Sequence, residues 1–270
     1  MRNAARRWSL RSAFILSLVA IPALFTVSAA SADVGLGQPT GITDEAHDMH
    51  TLYLIVTAIA AFVFVAVESA LVFALLKFRK RGDDLPPQTH GNNLLEIIWT
   101  TIPVLIVLTL FVASFITLVD VEDSADQQDL TVQVQGFQFQ WQFTYKKDDI
   151  GRKADPNLKM DNDVVILGTQ KEEPTLVIPV NEPVEFTLLS NDVIHSFYVR
   201  DFLYKLDVIP GRDNKFKVTA RETGTFTGQC AELCGTNHAL MRFHIQVVER
   251  PEFDKFLAEQ SANAKAAAKP

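Results

Sequence analysis

The chain has 270 residues and a formal net charge of −7. Phosphate binding needs clustered Lys and Arg, so this acidic balance argues against a nucleic-acid partner. Nearly all of the long apolar runs precede Asp120, whereas the second half of the chain alternates apolar and polar residues. The composition therefore predicts membrane segments first and a folded domain outside the bilayer second.

The first 32 residues are typical of a signal peptide. An apolar stretch at 13–25 follows a basic N-terminal region and precedes the small residues Ala30-Ser31-Ala32. The basic region contains Arg2, Arg6, Arg7 and Arg11. The apolar stretch is short for a membrane span, so we expect residues 1–32 to direct export of the chain.

Residues 33–120 are predicted to contain a transmembrane hairpin, with helices at about 52–78 and 94–119. Each apolar run is near the ~20 residues that a spanning helix requires. The loop between them begins with the basic residues Lys77, Arg79, Lys80 and Arg81. The positive-inside rule places this loop in the cytoplasm, so both chain ends and the later domain should lie outside a bacterial inner membrane.

Residues 121–250 are predicted to form an all-β sandwich or barrel. Leu130, Val132 and Val134 alternate with polar residues, and after Gly136 the apolar positions shift by one, which predicts a bulge or bend at the glycine. Further strands are expected at 175–180, 184–189, 195–199, 216–220, 225–229 and 243–248. The tail at 251–270 starts with a helix-like stretch and is predicted to be partly disordered.

One loop near the end of this domain concentrates metal-binding side chains. It contains Cys230, Cys234, His238 and Met241, and His195 is a further imidazole upstream. These residues could hold zinc, form a disulfide with the histidines incidental, or hold copper. A thioether is a poor ligand for zinc, so Met241 argues against that metal. Neither cysteine belongs to a C-x-x-C-H pattern, which excludes covalently attached haem.

The loop also resembles a known motif. The stretch 228–241, GQCAELCGTNHALM, resembles the binuclear copper A motif of cytochrome c oxidase subunit II. Three further stretches match this family in the same order, and the resemblance covers essentially the whole mature chain. They are EIIWTTIP at 96–103, DVIHSF at 192–197 and DVIPGR at 207–212. The resemblance implies a cupredoxin-like sandwich behind the two-helix transmembrane hairpin.

The resemblance also implies a complete ligand set. Cys230 and Cys234 would bridge two copper ions, and His195, His238 and Met241 would complete the shell with the backbone carbonyl of Glu232. The side chain of Glu232 would contribute to a magnesium or manganese site shared with subunit I.

The expected route of electron input differs from the family pattern. An exposed Trp usually receives electrons from cytochrome c, but here Phe139 occupies that position and Trp141 matches a second family aromatic. Phe139 and Trp141 are two residues apart and are expected to share one face of a strand, so Trp141 could serve instead, or both could pack in the core. Asp192 and Asp207 flank the copper motifs and could attract a basic cytochrome, although exposed carboxylates are commonly only solvated.

Glu96 lies at the cytoplasmic start of the second predicted helix. An acidic side chain there is favourable to the helix dipole, which is a sufficient structural explanation. The resemblance adds a functional one, because a carboxylate at this place can mark the entrance of a proton path into subunit I.

The resemblance therefore predicts the electron-input subunit of a respiratory haem-copper oxidase. Cytochrome c would reduce the copper pair, which would reduce haem in subunit I, where oxygen is reduced to water with proton pumping. Subunits I and III would be partners. A membrane-tethered copper carrier or a thiol–disulfide protein is the alternative class, but so complete a ligand shell predicts tight retention of copper.

Overall fold

The computed structural model describes residues 38–80, 82, 88, 90–122, 130–151, 153–158, 160–169 and 171–267. The predicted signal peptide, 1–32, lies outside the described residues. The described part consists of two long helices, ten strands, two short 3-10 helices and a C-terminal helix.

Two helices precede the strands: α1, Asp44–Lys77, and α2, Asn93–Glu122. Helix α1 begins before its apolar run because the Thr43 side chain caps it, accepting a hydrogen bond from Ala46 N–H at 3.0 Å. Asn92 caps α2 in the same way, accepting from Leu94 and Leu95 N–H at 3.1 and 3.2 Å.

The surfaces of both helices are apolar and uncovered. Examples are Phe62, Leu75 and Phe111, which are 69%, 73% and 64% exposed. Helices that are apolar on all sides bury these residues in lipid or against other membrane helices. Lengths of 34 and 30 residues exceed the ~20 needed to cross a bilayer.

The strands form two five-stranded sheets. In order along the chain they are β1 Leu130–Phe137, β2 Gln140–Tyr145, β3 Val164–Leu167, β4 Thr175–Pro179, β5 Pro183–Ser190, β6 His195–Val199, β7 Tyr204–Val208, β8 Asn214–Thr219, β9 Gly224–Cys230 and β10 Arg242–Val248. One sheet has the order β3-β2-β1-β5-β8 and the other β4-β10-β9-β6-β7. Most neighbours are antiparallel, but β1–β5 and β4–β10 are parallel.

Aromatic side chains fill the space between the sheets. Phe197 and Phe243 stack with ring centroids 4.8 Å apart, and Trp141 meets Phe243 edge-on at 5.4 Å. Phe186 and Phe143 extend the cluster, and all five are at most 1% exposed. Each such ring contributes ~1.5–3 kcal/mol by burial, so this cluster stabilises the packing of the two sheets against each other. The predicted two-helix hairpin followed by an all-β sandwich is confirmed.

The predicted bulge or bend at Gly136 was wrong. Gly136 lies inside β1, and the chain reverses two residues later, so β1 and β2 form a hairpin with Phe137 opposite Gln140. Gln138 and Phe139 form the turn. A turn without Asn or Gly gave no signal in the sequence. Phe139 and Trp141 therefore do not share one strand face.

The C-terminal helix α3, Arg250–Ala267, packs on the sandwich through Phe253 and Leu257, which are fully buried. Arg250 anchors its first turn, with ion pairs to Glu182 at 3.1 Å and to Asp254 at 2.9 Å.

Candidate metal centre

His195 and the cysteine loop meet because their strands are neighbours. His195 is the first residue of β6 and Cys230 is the last residue of β9. The strands pair antiparallel with Phe197 opposite Cys230. Residues two apart on a strand share a face, so His195 lies on the same side of the sheet as Cys230. The pairing brings an imidazole from a distant stretch to the start of the loop 231–237.

Five side chains converge at this corner of the sandwich. The sulfur atoms of Cys230 and Cys234 are 3.9 Å apart. His195 Nδ1 lies 3.9 Å from Cys230 Sγ, while His238 Nδ1 and Met241 Sδ lie 3.6 and 3.9 Å from Cys234 Sγ. The ligand atoms of His195 and the two cysteines all lie within 4.8 Å of one another. Each cysteine thus has its own histidine, and Met241 lies beside Cys234.

Glu232 contributes its backbone and its side chain to different places. Its carbonyl oxygen is 3.3 Å from Cys230 Sγ. Its carboxylate is 46% exposed and lies 3.7 Å from Lys205 Nζ, which also pairs with Asp207 at 3.0 Å. The carbonyl therefore belongs to the thiol cluster, whereas the carboxylate belongs to a charged group at the surface.

Backbone hydrogen bonds hold the loop in shape. Cys230 N–H donates to Met241 O at 2.9 Å, which closes the loop at its base, and Ala231 N–H donates to Ser196 O at 3.0 Å. Gly235 has φ +137°, and a Cβ there would lie 2.9 Å from the Phe139 ring. Only glycine fits this backbone conformation beside Phe139.

Four of the five side chains are shielded from water. His195 and Met241 have no exposed surface, and Cys230 and Cys234 are 4% and 5% exposed, whereas His238 is partly exposed. Trp141 lies directly beneath, with its ring 6.2 Å from that of His195 and its Nε1–H donating to Met241 O at 3.4 Å. The ligating atoms are therefore positioned by the aromatic core and largely shielded from water.

Two residues outside the loop connect its parts. Asp192 Oδ1 lies 2.9 Å from His195 Nε2, and its Oδ2 accepts a hydrogen bond from Gln138 N–H at 2.7 Å. The Gln138 side chain donates to Cys234 O at 2.5 Å. The β1–β2 turn thus links the histidine segment to the cysteine loop. The sequence indicates only a surface charge at Asp192, and Gln138 has no signal beyond its place in the aromatic motif.

The local charges change the pKa values of the site. Burial lowers the pKa of His195, but its contacts with Cys230 and Asp192 outweigh burial and raise it. Burial likewise raises the pKa of Cys230, but the hydrogen bond with His195 and backbone contacts outweigh it, lowering that pKa to about 7. Burial raises the pKa of Cys234, and the charge of Cys230 raises it further. Cys230 is therefore the thiol that ionises first.

The geometry suits a shared soft metal. Both thiols are free. Their 3.9 Å separation exceeds the ~2.05 Å of a disulfide. It nevertheless lets both sulfurs bind one ion, since metal–thiolate bonds are ~2.3 Å. Thiolates, imidazoles and a thioether are the donor types that copper prefers, so the cluster fits copper binding.

The aromatic residues proposed for electron input differ in exposure. Trp141 has no exposed surface. Phe139, in the β1–β2 turn, is half-buried and contacts Gly235 of the loop. A partner protein can therefore touch Phe139 but not Trp141. Glu96 lies apart from the metal centre. It is exposed in the first turn of α2, the helix end remote from the sandwich.

Together, the fold and the cluster define a membrane-anchored, cupredoxin-like protein with a Cys–His–Met centre suited to copper. The chain matches two family descriptions, "Cytochrome C oxidase subunit II, periplasmic domain" over residues 130–248 and the corresponding transmembrane domain over 31–117. It therefore belongs to the cytochrome c oxidase subunit II family. It is a component of a haem-copper oxidase and a membrane protein with a periplasmic domain.

Individual relatives span most of the chain. It is 36% identical over 226 residues to the "probable cytochrome c oxidase subunit 2" of Rickettsia bellii, covering 82% of this chain and 81% of that protein. It is 32% identical over 286 residues to cytochrome c oxidase subunit 2 of Corynebacterium diphtheriae, covering 86% and 78%. Among solved structures, the periplasmic domain of subunit II of cytochrome oxidase (CoxB) of Bradyrhizobium japonicum is 34% identical, covers 51% of this chain and 96% of its own, and has a TM-score of 0.42.

Proposed function

We propose that this chain accepts electrons from a cytochrome c at a binuclear copper A centre and delivers them to haem in subunit I, where oxygen is reduced to water with proton pumping. The observation that carries the proposal is the convergence of two thiols, two imidazoles and a thioether from β6 and the β9–β10 loop. The ligands would be the side chains of Cys230, Cys234, His195, His238 and Met241 and the carbonyl oxygen of Glu232.

The choice of copper over zinc depends on Met241. Its sulfur is fully buried, 3.9 Å from Cys234 Sγ. Zinc sites use Cys, His and carboxylate ligands, so a Cys–His zinc site would not use this methionine. The presence of one histidine beside each cysteine also fits two thiolates that bind a pair of ions. When bound, copper would supply a carrier that gains and loses a single electron.

The residues of the chain would hold that carrier in one geometry. The β6–β9 pairing, the Cys230–Met241 backbone bond and the Trp141 contact fix the ligands before a metal binds. A frame that changes little between oxidation states lowers the reorganisation needed for electron transfer. Exclusion of water by the aromatic core helps to set the potential.

Electron input is proposed to occur over the β1–β2 turn. Phe139 is partly exposed and touches Gly235, so it lies between a docked donor and Cys234. Trp141 would act from beneath, by holding Met241. Phe139→Leu should slow reduction by cytochrome c without changing copper content, whereas Trp141→Phe should weaken copper retention. If both variants slowed reduction by cytochrome c equally and neither changed copper retention, these separate roles of Phe139 and Trp141 would be wrong.

Two carboxylates are proposed to act toward partner subunits. Glu232 would add its exposed side chain to a magnesium or manganese site completed by subunit I, with Lys205 balancing its charge beforehand. Glu96, on the cytoplasmic side if both chain ends lie outside, would mark the entrance of a proton path in subunit I. Glu96→Gln should slow proton-coupled turnover and leave the copper signal unchanged. Subunit III is proposed as a further neighbour.

The decisive test is paramagnetic resonance on the full chain purified with copper. We expect a mixed-valence signal in which one unpaired electron couples to two copper nuclei. Cys230→Ser should abolish that signal, whereas the exposed neighbour variant Leu233→Ala should keep it. A blue single-copper spectrum, or a chain that retains no copper and carries a Cys230–Cys234 disulfide, would overturn the proposal in favour of a carrier or thiol–disulfide role.

A further inference from the structure

The segment that leads into α1 is bound to the external domain. Ile42 N–H donates to Asp201 O at 2.9 Å, and Arg221 N–H donates to Ile42 O at 2.7 Å. Thr43 forms an isolated antiparallel bridge with Ala220. The backbone thus pairs with the domain immediately before it turns into the membrane helix.

Side chains strengthen this attachment. Arg221 binds Asp44 through two parallel hydrogen bonds, Nε to Oδ1 at 2.7 Å and Nη2 to Oδ2 at 2.6 Å. Its third nitrogen, Nη1, donates to Asn181 Oδ1 at 3.1 Å. A two-bonded guanidinium–carboxylate pair fixes direction as well as distance, so the first turn of α1 is held at a defined angle to the domain.

The centre of the attachment is buried. Glu45 is 8% exposed, and its Oε2 accepts a hydrogen bond from Thr219 N–H at 3.1 Å. Ile42 and Ala46 are buried as well. Gly41 has φ +79°, and a Cβ there would overlap Ala46 and approach Asp201 O to 3.2 Å. Close packing, and not only a surface ion pair, therefore joins the two parts.

This contact joins the domain to the membrane helices at the start of α1. The domain is also joined to α2, by the continuing chain and by a contact between α2 and β8. A domain held at the starts or ends of two helices cannot turn relative to them without breaking one of these contacts. Both helices also touch β8.

We propose that residues 41–46 are a latch that holds the periplasmic domain in one orientation above the membrane helices. Asp44, Glu45 and Arg221 are positioning residues for delivery of electrons to the partner subunit. The latch rests on the proposed function in one respect: electron transfer from the copper centre to haem depends steeply on the distance that this orientation sets. The orientation itself does not require copper.

The orientation can be measured in the full chain in lipid nanodiscs. Spin labels on unnatural amino acids at Asn93 and Lys255 report the distance between the far end of α2 and the domain, and leave the native cysteines untouched. Arg221→Gln and Asp44→Asn should raise the population of other distances about two- to fivefold, the range expected for a partly exposed ion pair. Glu45→Ala should broaden the distribution further, because it leaves Thr219 N–H without its partner in a partly buried place.

Lys146→Gln is the matched control. Lys146 also forms an ion pair, 2.9 Å from Asp163, and its side chain is 44% exposed, as that of Arg221 is. The exchange Asp44→Arg with Arg221→Asp should narrow the distribution again. If the distance distributions of Arg221→Gln and Glu45→Ala are both as narrow as that of the unmodified chain, the proposed latch is overturned.

In the assembled oxidase, the same variants should slow the step from copper to haem after photochemical reduction, with the paramagnetic signal unchanged. If they shift the distances but the electron-transfer rate does not change, the positioning role is wrong. If the unmodified oxidase shows no such step, the proposed function fails, while the distance measurement still tests the latch.

Discussion

His195 Nε2 lies 2.9 Å from Asp192 Oδ1, on the edge of the ring opposite the nitrogen nearest Cys230. A carboxylate in this place fixes the tautomer, because the proton on Nε2 leaves Nδ1 free to bind a metal. It also fixes the rotation of the ring. Asp192 is itself held by Val193 N–H at 2.6 Å and Gln138 N–H at 2.7 Å, so it is a rigid support.

Asp192→Ala should therefore lower the copper affinity of the full chain by about 10- to 100-fold, the usual cost of losing the outer partner of a ligating histidine. Asp192→Asn keeps an acceptor oxygen and should lose less. Competition with a copper chelator measures both. Asp207→Ala removes a similarly flanking carboxylate that touches no proposed ligand, and it serves as the control. Equal affinities for Asp192→Ala and the unmodified chain would exclude the support role.

Met241→Leu should retain copper but change its reduction potential. Leucine has nearly the same volume, so the buried position stays filled at a cost of less than about 1.5 kcal/mol. The thioether beside Cys234 is lost, and with it one soft donor. A redox titration followed by the copper absorption measures the change, with Leu240→Ala as an exposed neighbouring control. A potential equal to that of the unmodified chain would remove Met241 from the ligand set.

Gly136 gives the His195 ring the space it needs. A Cβ at this position would lie 3.2 Å from His195 Cδ2 and Cγ and 3.2 Å from Trp141 Cζ3. Neither ring can move away freely, because both are fully buried. Gly136→Ala should therefore destabilise the domain by about 1–3 kcal/mol and weaken copper binding.

The matched control is Gly82→Ala, at a glycine whose added Cβ would meet nothing within 4 Å. Chemical denaturation and copper competition on the full chain measure both effects. If Gly136→Ala unfolds at the same denaturant concentration as Gly82→Ala and binds copper equally well, the close approach has no energetic consequence.

The regular parts of the fold were predictable from sequence because their patterns are periodic. The expected strand at 195–199 coincides with β6, and the expected strands at 175–180 and 243–248 differ from β4 and β10 by one residue at one end. Two short strands, β3 and β7, were missed. Strand β7 has the sequence YKLDV, and side chains on both of its faces are partly exposed. Its alternation of apolar and polar residues is therefore weak.

The site was predictable only in part. The loop 230–241 and His195 were identifiable because soft ligands were concentrated there, although their meeting depends on the β6–β9 register. The support by Asp192 and Gln138 was not predictable, because it joins residues 54 positions apart through a turn without a sequence signal. The latch at 41–46 was missed for the same reason: Arg221 and Asp44 are 177 positions apart.

The metal-free centre should carry one thiolate, not two, near neutral pH. The contact with His195 and backbone groups lowers the pKa of Cys230 to about 7 against the effect of burial, whereas burial and the Cys230 charge raise the pKa of Cys234. As pH rises through about 7, thiolate absorbance should increase by one equivalent.

Cys230→Ser should remove this step and Cys234→Ser should keep it. His195→Gln should move it to higher pH, because the imidazole no longer favours the charged sulfur. Two equivalents ionising together near pH 7 would contradict the unequal environments of the two cysteines. Since a thiolate is the form that binds metal, the first contact of copper with the metal-free chain should then occur at Cys230.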